Sequence, residues 1–252
     1  MKKKMDYTTF YERIGRLNGW DFSSLKVTSE GIGWNFYEEV TRCTQPSDLL
    51  LDIGTGGGEA VLSIADAAAL LLVGIDLSRG MIETAQRNLK ASGSRSNIRF
   101  VHMNAEQLTF PNQFFNVVSS RHCDFCASEV FRVLADGGVF LTQHVSENDK
   151  SNLSEAFDRG QSLGVQPGTL MERYKRELRE AGFQDIEAYE YNATEYYATP
   201  DDLLFLLTHA PIIPDFGEKQ SDLERFQQFV EQNRCDKGIR TNSARFMLTA
   251  LK

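Results

Sequence analysis

The segment Leu51-Asp52-Ile53-Gly54-Thr55-Gly56-Gly57-Gly58-Glu59 sets an acid at the end of an apolar run, then a glycine loop, then a helix-like pattern. Glycines let a backbone approach a ligand closely, and a helix start offers N–H groups that lack intrahelical partners. A dinucleotide site has the same outline, but its fingerprint asks for a small residue three places after the second glycine, where Glu59 stands. Glu59 would hinder close packing of helix on strand, and its charge would repel a pyrophosphate. With Asp52 also acidic, a ligand with a cationic head, an ammonium beside a sulfonium, suits the loop better than two phosphates do.

Strand-length apolar runs that alternate with segments of helical period must position this loop, which is the pattern of a parallel sheet covered on both faces. The runs are 48–53, 70–75 ending on Asp76, 98–102, 114–119 and 138–145. Between them, Glu59 to Ala69 reads as a helix with Val61, Ile64, Ala65 and Ala68 inward, and Ser78 is the N-cap of a helix whose Met81, Ile82, Ala85 and Leu89 share one face until Gly93 stops it. A further helix is expected over 127–134. Beyond Val145 the rhythm breaks. The polar stretch 146–168 reads as an insertion before a helix (170–181) and a strand (184–191), and 199–236 as a second irregular region holding helices over 203–207 and 221–232. A closing strand spans 243–251.

The glycine segment resembles motif I of the class I S-adenosylmethionine-dependent methyltransferases of the type 11 kind: an acid, any residue, then Gly-x-Gly-x-Gly, matched by Asp52, Gly54, Gly56 and Gly58. Val73-Gly74-Ile75-Asp76-Leu77-Ser78 is similar to the second motif, where the acid accepts from both ribose hydroxyls. Met103-Asn104-Ala105-Glu106-Gln107-Leu108-Thr109-Phe110-Pro111 resembles the segment after strand three, and Phe115-Asn116-Val117-Val118 with 132–138 resembles the segments around strand four. Order and spacing agree over about 100 residues, 48–145. Two positions depart from the family's usual acids, Asn104 and Asn116. The resemblance implies an α/β, doubly wound, seven-stranded, mostly parallel sheet and S-adenosylmethionine as cofactor. It implies that Asp52 holds the methionine ammonium, that N–H groups around Gly54, Thr55, Gly56 and Gly58 meet the carboxylate end, and that Asp76 fixes the ribose. Leu77 and Met81 would flank adenine and Asn104 and Ala105 would read its edge, with Glu106 in the same segment. Ser120 and Arg121 would face the crevice at the carboxyl ends of the strands.

Methyl transfer is an in-line displacement in which alignment and exclusion of water matter most, and a base is optional. His122 and His144, near the ends of strands four and five, are the candidate bases, with a packed histidine as the alternative reading for each. Cys123-Asp124-Phe125-Cys126 is a CxxC, but Cys43 and Cys235 are single and distant, so no structural metal site is expected and these thiols should pack or line the pocket.

The balance of 27 basic against 35 acidic residues gives a formal net charge of −8, which disfavours a polyanionic partner. Lys2-Lys3-Lys4 is the one dense basic run and reads as a solvated tail. No stretch reaches the roughly 18 apolar residues of a membrane span, and the expected location is the cytoplasm, with reduced cysteines. A single domain over 1–252 is expected: an N-terminal cover, helical and aromatic, over 1–47 (Trp20, Phe22, Trp34, Phe36, Tyr37), the core over 48–145, substrate-side insertions at 146–168 and 199–236, and closing strands at 182–198 and 240–252. These outer parts would close over the cofactor as a lid. The expected function is methyl transfer to a small-molecule acceptor. The alternatives are a tRNA, rRNA or protein methyltransferase, a non-catalytic S-adenosylmethionine-binding regulator, or a nicotinamide-dependent oxidoreductase.

Overall fold

A computed structural model describes residues 24–65, 69–93 and 95–252. Lys2-Lys3-Lys4, Trp20, Phe22 and Ala68 lie outside them. In chain order the elements are β1 (Val27–Glu30), α1 (Phe36–Arg42), β2 (Leu49–Ile53), α2 (Glu59–Ser63), β3 (Leu71–Asp76), α3 (Arg79–Ala91), β4 (Ile98–His102), β5 (Phe115–Arg121), α4 (Ala127–Val133) and β6 (Leu134–Val145). There follow α5 (Ser151–Phe157), α6 (Thr169–Ala181), β7 (Gln184–Tyr197), α7 (Pro200–His209), α8 (Asp222–Asn233), β8 (Arg234–Cys235) and β9 (Gly238–Leu251).

One sheet runs in the order β1-β7-β9-β6-β5-β2-β3-β4, with β8 hairpinned onto β9. Neighbours from β4 to β6 pair in parallel, whereas β9 is antiparallel to both β6 and β7. The α/β, mostly parallel sheet is as expected, but among the described residues it has nine strands rather than seven. The additions are β1, antiparallel on the outer edge of β7, and the two-residue β8. The first of them also corrects the helical N-terminal cover, since among its described residues 27–30 are extended and 36–42 are helical.

The near-continuous apolar character of β2 and β3 follows from burial on both faces. Leu51, Ile53, Val73 and Val118 join a core under α4 and α6, while Leu50, Leu72, Val117 and Leu141 join one under α1, α2 and α3. Ser78 caps α3, its Oγ accepting from the Met81 N–H, and Gly93 leaves the helix with φ +96°. Thr199 and Asp202 form a reciprocal capping box at α7.

A third core joins Leu153 and Phe157 of α5, Leu203 and Leu207 of α7, and Phe226 and Phe229 of α8 to Tyr197 of β7 and Ile239 of β9. The 146–168 stretch thus carries a helix of its own. Pairing between β6 and β9 stops at Val145 opposite Arg245, but β7 and β9 stay paired out to Tyr197 opposite Ile239. The third core therefore rests on strand ends that overhang the carboxyl edge of the parallel sheet, where open α/β sheets take their ligands. No helix among the described residues is long and apolar enough to cross a membrane.

Candidate active site

Register decides which residues share the crevice. Asp52 lies opposite Ser119, and Arg121 opposite Gln143, so with a period of two Asp52, Ser119, Arg121 and Gln143 project from the α1 face of the sheet. Asp52 is fully buried there. Ser119 Oγ donates to its Oδ1 at 2.6 Å, and the Tyr37 hydroxyl from α1 lies 3.4 Å from each carboxylate oxygen. Burial pushes the Asp52 carboxyl up to about 6, against the pull of the Ser119 and Tyr37 hydroxyls and the Arg121 charge. Burial and the Asp52 charge in turn keep the Tyr37 phenol protonated.

The glycine loop is tied to β3. The N–H groups of Gly54 and Thr55 both donate to the Ile75 carbonyl at 2.9 Å, that of Gly56 to Asp76 Oδ2 at 2.9 Å, and that of Gly58 to the Thr55 carbonyl at 3.0 Å. The N–H groups of Gly54, Thr55, Gly56 and Gly58 are thus taken up in shaping the loop. A Cβ on Gly54 (φ +74°) would lie 2.4 Å from Cys123 Cβ, and one on Gly58 (φ +78°) 2.6 Å from the Phe100 ring, whereas Gly56 (φ +57°) faces open space. Thr55 is buried against Gly74. Glu59 folds back beside Gly57, its Oε1 accepting from the Asn88 amide at 3.0 Å.

Asp76 ends β3 half-buried, and its Oδ1 accepts from the Ser78 N–H at 2.8 Å. Leu77 beside it is 57% exposed, but Met81 is only 2% exposed at the foot of α3. Met81 is therefore sealed from a ligand, and Leu77 alone of the pair offers an apolar surface. Asn104 is exposed, Ala105 half-buried and Glu106 exposed on the loop after β4. Asn104 Oδ1 accepts from the Glu106 N–H at 2.9 Å, which fixes the amide's orientation.

At the end of β5, Ser120 is fully buried on the opposite face and donates to the Cys123 carbonyl at 3.0 Å, so it is a structural tie rather than a crevice residue. Arg121 and His122 are exposed. The Arg121 guanidinium carbon lies 5.9 Å from the Tyr37 ring centroid. His122 adopts φ +58°, and its Nε2 lies 3.3 Å from Nε2 of Gln143, whose Oε1 accepts from the Trp34 indole N–H at 2.7 Å. Trp34 in turn packs edge-on against Tyr191 of β7, centroids 4.6 Å apart. Although His122 keeps an exposed edge, desolvation of its ring against the surrounding side chains, then the charges of Arg245 and Arg121 and the neighbouring His144, hold it below the usual imidazole range.

His144 is the other correction. One residue out of phase with Gln143, it points to the α6 face, is 5% exposed, stacks on Tyr174 at 4.3 Å and lies 2.8 Å from Thr142 Oγ1. Burial lowers it to about 4, and it is a packed histidine. Cys123 and Cys126 are free thiols, and burial with the nearby Asp76, Asp124 and Asp52 pushes Cys123 up to about 12. Asn116, which the motif left without a role, accepts the Leu49 N–H at 2.9 Å and so anchors the start of β2.

Two depressions of about 470 and 240 Å³ lie elsewhere, one lined by Phe226, Val230 and Arg234, the other by Asn152, Asn192 and Asn242. Neither gathers the acids and donors found at the strand ends, so the candidate site is the carboxyl edge.

Comparison with known proteins agrees. Residues 50–138 match the model of a methyltransferase domain family. The ubiquinone/menaquinone biosynthesis C-methyltransferase UbiE of Vibrio parahaemolyticus is 27% identical over 179 residues, 67% of this chain and 64% of that protein, so the match spans just under two thirds of the relative's length. The YcgJ protein of Bacillus subtilis superposes with a TM-score of 0.58 at 20% identity, covering 86% of this chain and 97% of the other. The phosphoethanolamine N-methyltransferase 2 of Haemonchus contortus, solved in complex with S-adenosyl-L-methionine, superposes with a TM-score of 0.55 at 22% identity over 97% of this chain and 56% of the other. The acid-bounded glycine loop and the second acid on β3 both lie within the residues that match the methyltransferase domain family, and the fold is shared with the solved methyltransferase named above.

Proposed function

We propose that this protein transfers a methyl group from S-adenosylmethionine to a small-molecule acceptor held beneath the third core. The observation that carries the reading is the pair of acids on adjacent strands, Asp52 and Asp76, bracketing a glycine loop whose Gly56 faces open space. A buried carboxylate whose pKa is raised to about 6 is costly to ionise alone, and a cationic ligand offsets that cost. Asp52 is thus suited to an ammonium head, Asp76 to ribose hydroxyls, and Leu77 to one face of adenine. S-adenosylmethionine, when bound, supplies the activated methyl group. The chain's own part is to orient the two reactants and keep water out, and the buried Tyr37 shields Asp52 for that purpose.

On the acceptor side lie Trp34, Tyr37 and Tyr191 with Arg121 and His122. An aromatic and cationic lining favours a planar, polar small molecule over a nucleic acid, in line with the net charge of −8. The quinone-pathway C-methyltransferase named above supplies the first acceptors to try. A thermal-shift panel of S-adenosylmethionine, S-adenosylhomocysteine and NAD tests the cofactor, since a ligand that binds only the folded state raises the melting temperature. Stabilisation by both sulfur nucleotides and none by NAD is expected, and the reverse pattern would overturn the assignment. Transfer of radiolabelled methyl to quinone precursors then tests the acceptor.

A further inference from the structure

The contact chain Trp34–Gln143–His122 determines which nitrogen of His122 carries its proton. An indole N–H can only donate, so the Gln143 atom 2.7 Å from it must be the amide oxygen. The same amide then turns its NH₂ group toward His122, and an amide nitrogen donates but does not accept. His122 Nε2, 3.3 Å away, is therefore the acceptor. With Nε2 accepting and the positive charges of Arg245 and Arg121 nearby disfavouring a second proton, the ring's proton belongs on Nδ1. The left-handed backbone at His122, an uncommon conformation in which histidine is enriched, holds the ring at the exposed end of β5.

We infer that His122 is a hydrogen-bond donor through Nδ1–H rather than a base, and that with Arg121 it selects a methyl acceptor bearing an ionised oxygen, of the phenolate, enolate or carboxylate class. Arg245 is neutralised by Asp149 at 2.5 Å, whereas Arg121 has no carboxylate within ion-pair distance among the described residues. A neutral donor beside an unpaired guanidinium is the arrangement that stabilises an oxyanion. Trp34 and Gln143 are positioning residues, acting on the acceptor through the imidazole.

This inference rests on the methyl-transfer reading for its place in a reaction, but it is tested without the cofactor. The ring nitrogens of ¹⁵N-histidine-labelled protein should show His122 protonated at Nδ1. Gln143→Leu should return the ring toward the Nε2–H form that free imidazole favours, and Trp34→Phe, which frees the amide to rotate, should mix the two. In binding titrations the protein should prefer 4-nitrophenolate over the uncharged 4-nitroanisole by about tenfold or more, as expected of a charge-assisted hydrogen bond. That preference should fall severalfold in Gln143→Leu and persist in His122→Asn, which keeps a donor near the Nδ1 position and tolerates the left-handed backbone. An Nε2–H ring in the parent protein, equal affinity for the two probes, or a Gln143→Leu variant with a changed tautomer and an unchanged preference would each overturn it. Calorimetry with S-adenosylhomocysteine, run alongside, separates the two readings. Its failure removes the proposed reaction and leaves the donor assignment standing on the probe data.

Discussion

A carboxyl group sealed at the end of a strand couples cofactor affinity to fold stability. Asp52 holds its proton to about pH 6 in the folded chain and only to 3.8 in its unperturbed state. Between those values folding takes up a proton, so this residue's contribution to stability falls as pH rises through that window. Above it the buried charge costs on the order of 3 kcal/mol. Asp52→Asn should therefore stabilise the ligand-free protein by about 2 kcal/mol at pH 8 and by almost nothing at pH 4, read by chemical denaturation. The same variant should bind S-adenosylmethionine far more weakly. In the parent, affinity should improve about tenfold from pH 5 to pH 7 and then level off, because the cation binds the ionised form; a flat calorimetric profile would dissociate Asp52 from the ammonium. At this scale the motif acids, loop glycines and His122 are legible in the sequence. Tyr37, Ser119, Trp34 and Gln143 are not, because their contacts span 15 to 109 positions and depend on strand register. A parity count from Leu50 and Asp52 across the parallel strands would have set Gln143 and His144 on opposite faces, but it needs the pairing offsets, which no single strand contains.

The elements show why three glycines of one motif differ in what they demand. Gly54 and Gly58 are pressed against Cys123 and Phe100, while Gly56 requires only its left-handed backbone. Gly56→Ala should cost about 1 kcal/mol, the ordinary penalty for that conformation. Gly54→Ala adds a methyl group where there is no room and should cost about 2 to 4 kcal/mol in all, with Cys123 displaced from the β5 loop. Denaturant midpoints of the two variants give the comparison, and equal costs would mean that the Cys123 contact is slack. Strand and helix periods were readable along 48–145 because each element there is local and buried on predictable faces. The apolar strand pattern of β7 and β9 covers only 184–191 and 243–251, within closing segments bounded at 182–198 and 240–252, whereas each strand runs for 14 residues. Their outer halves, with Asn192, Thr194, Thr241 and Asn242, are polar in composition and are made strand by pairing with each other.

The whole molecule consists of a parallel sheet and an overhanging third core joined by two unbroken strands. Leu153, Phe157, Leu203, Phe226 and Phe229 bury one another, and Arg159 pairs with the buried Asp222 at 2.7 Å. A body braced in this way, on continuous β7 and β9, lacks a hinge at its base. The lid expected of these segments is better replaced by a fixed canopy. Hydrogen exchange should slow on cofactor binding at the glycine loop and at α1, whose Tyr37 covers Asp52, and remain unchanged in α7 and α8. Strong new protection in α7 and α8 would restore the moving lid. Two separate stretches, 146–168 and 199–236, collecting into one core could not be read from their order, since each alone looks like an irregular insertion.

The short strand β1 has a consequence for solubility. It pairs with β7 only from Thr194 to Tyr197, so among the described residues the outer edge of β7 from Gln184 to Ala193 has no neighbouring strand. An open edge of that length is a template for joining two molecules strand to strand, and proteins block it with charge. Asp185, Glu187 and Glu190 stand along that stretch, so part of the surplus of negative charge guards the margin of the sheet rather than serving the pocket. Replacing Glu187 and Glu190 by threonine should leave the fold intact and turn that margin adhesive, which would appear in light scattering as growth in particle mass with protein concentration.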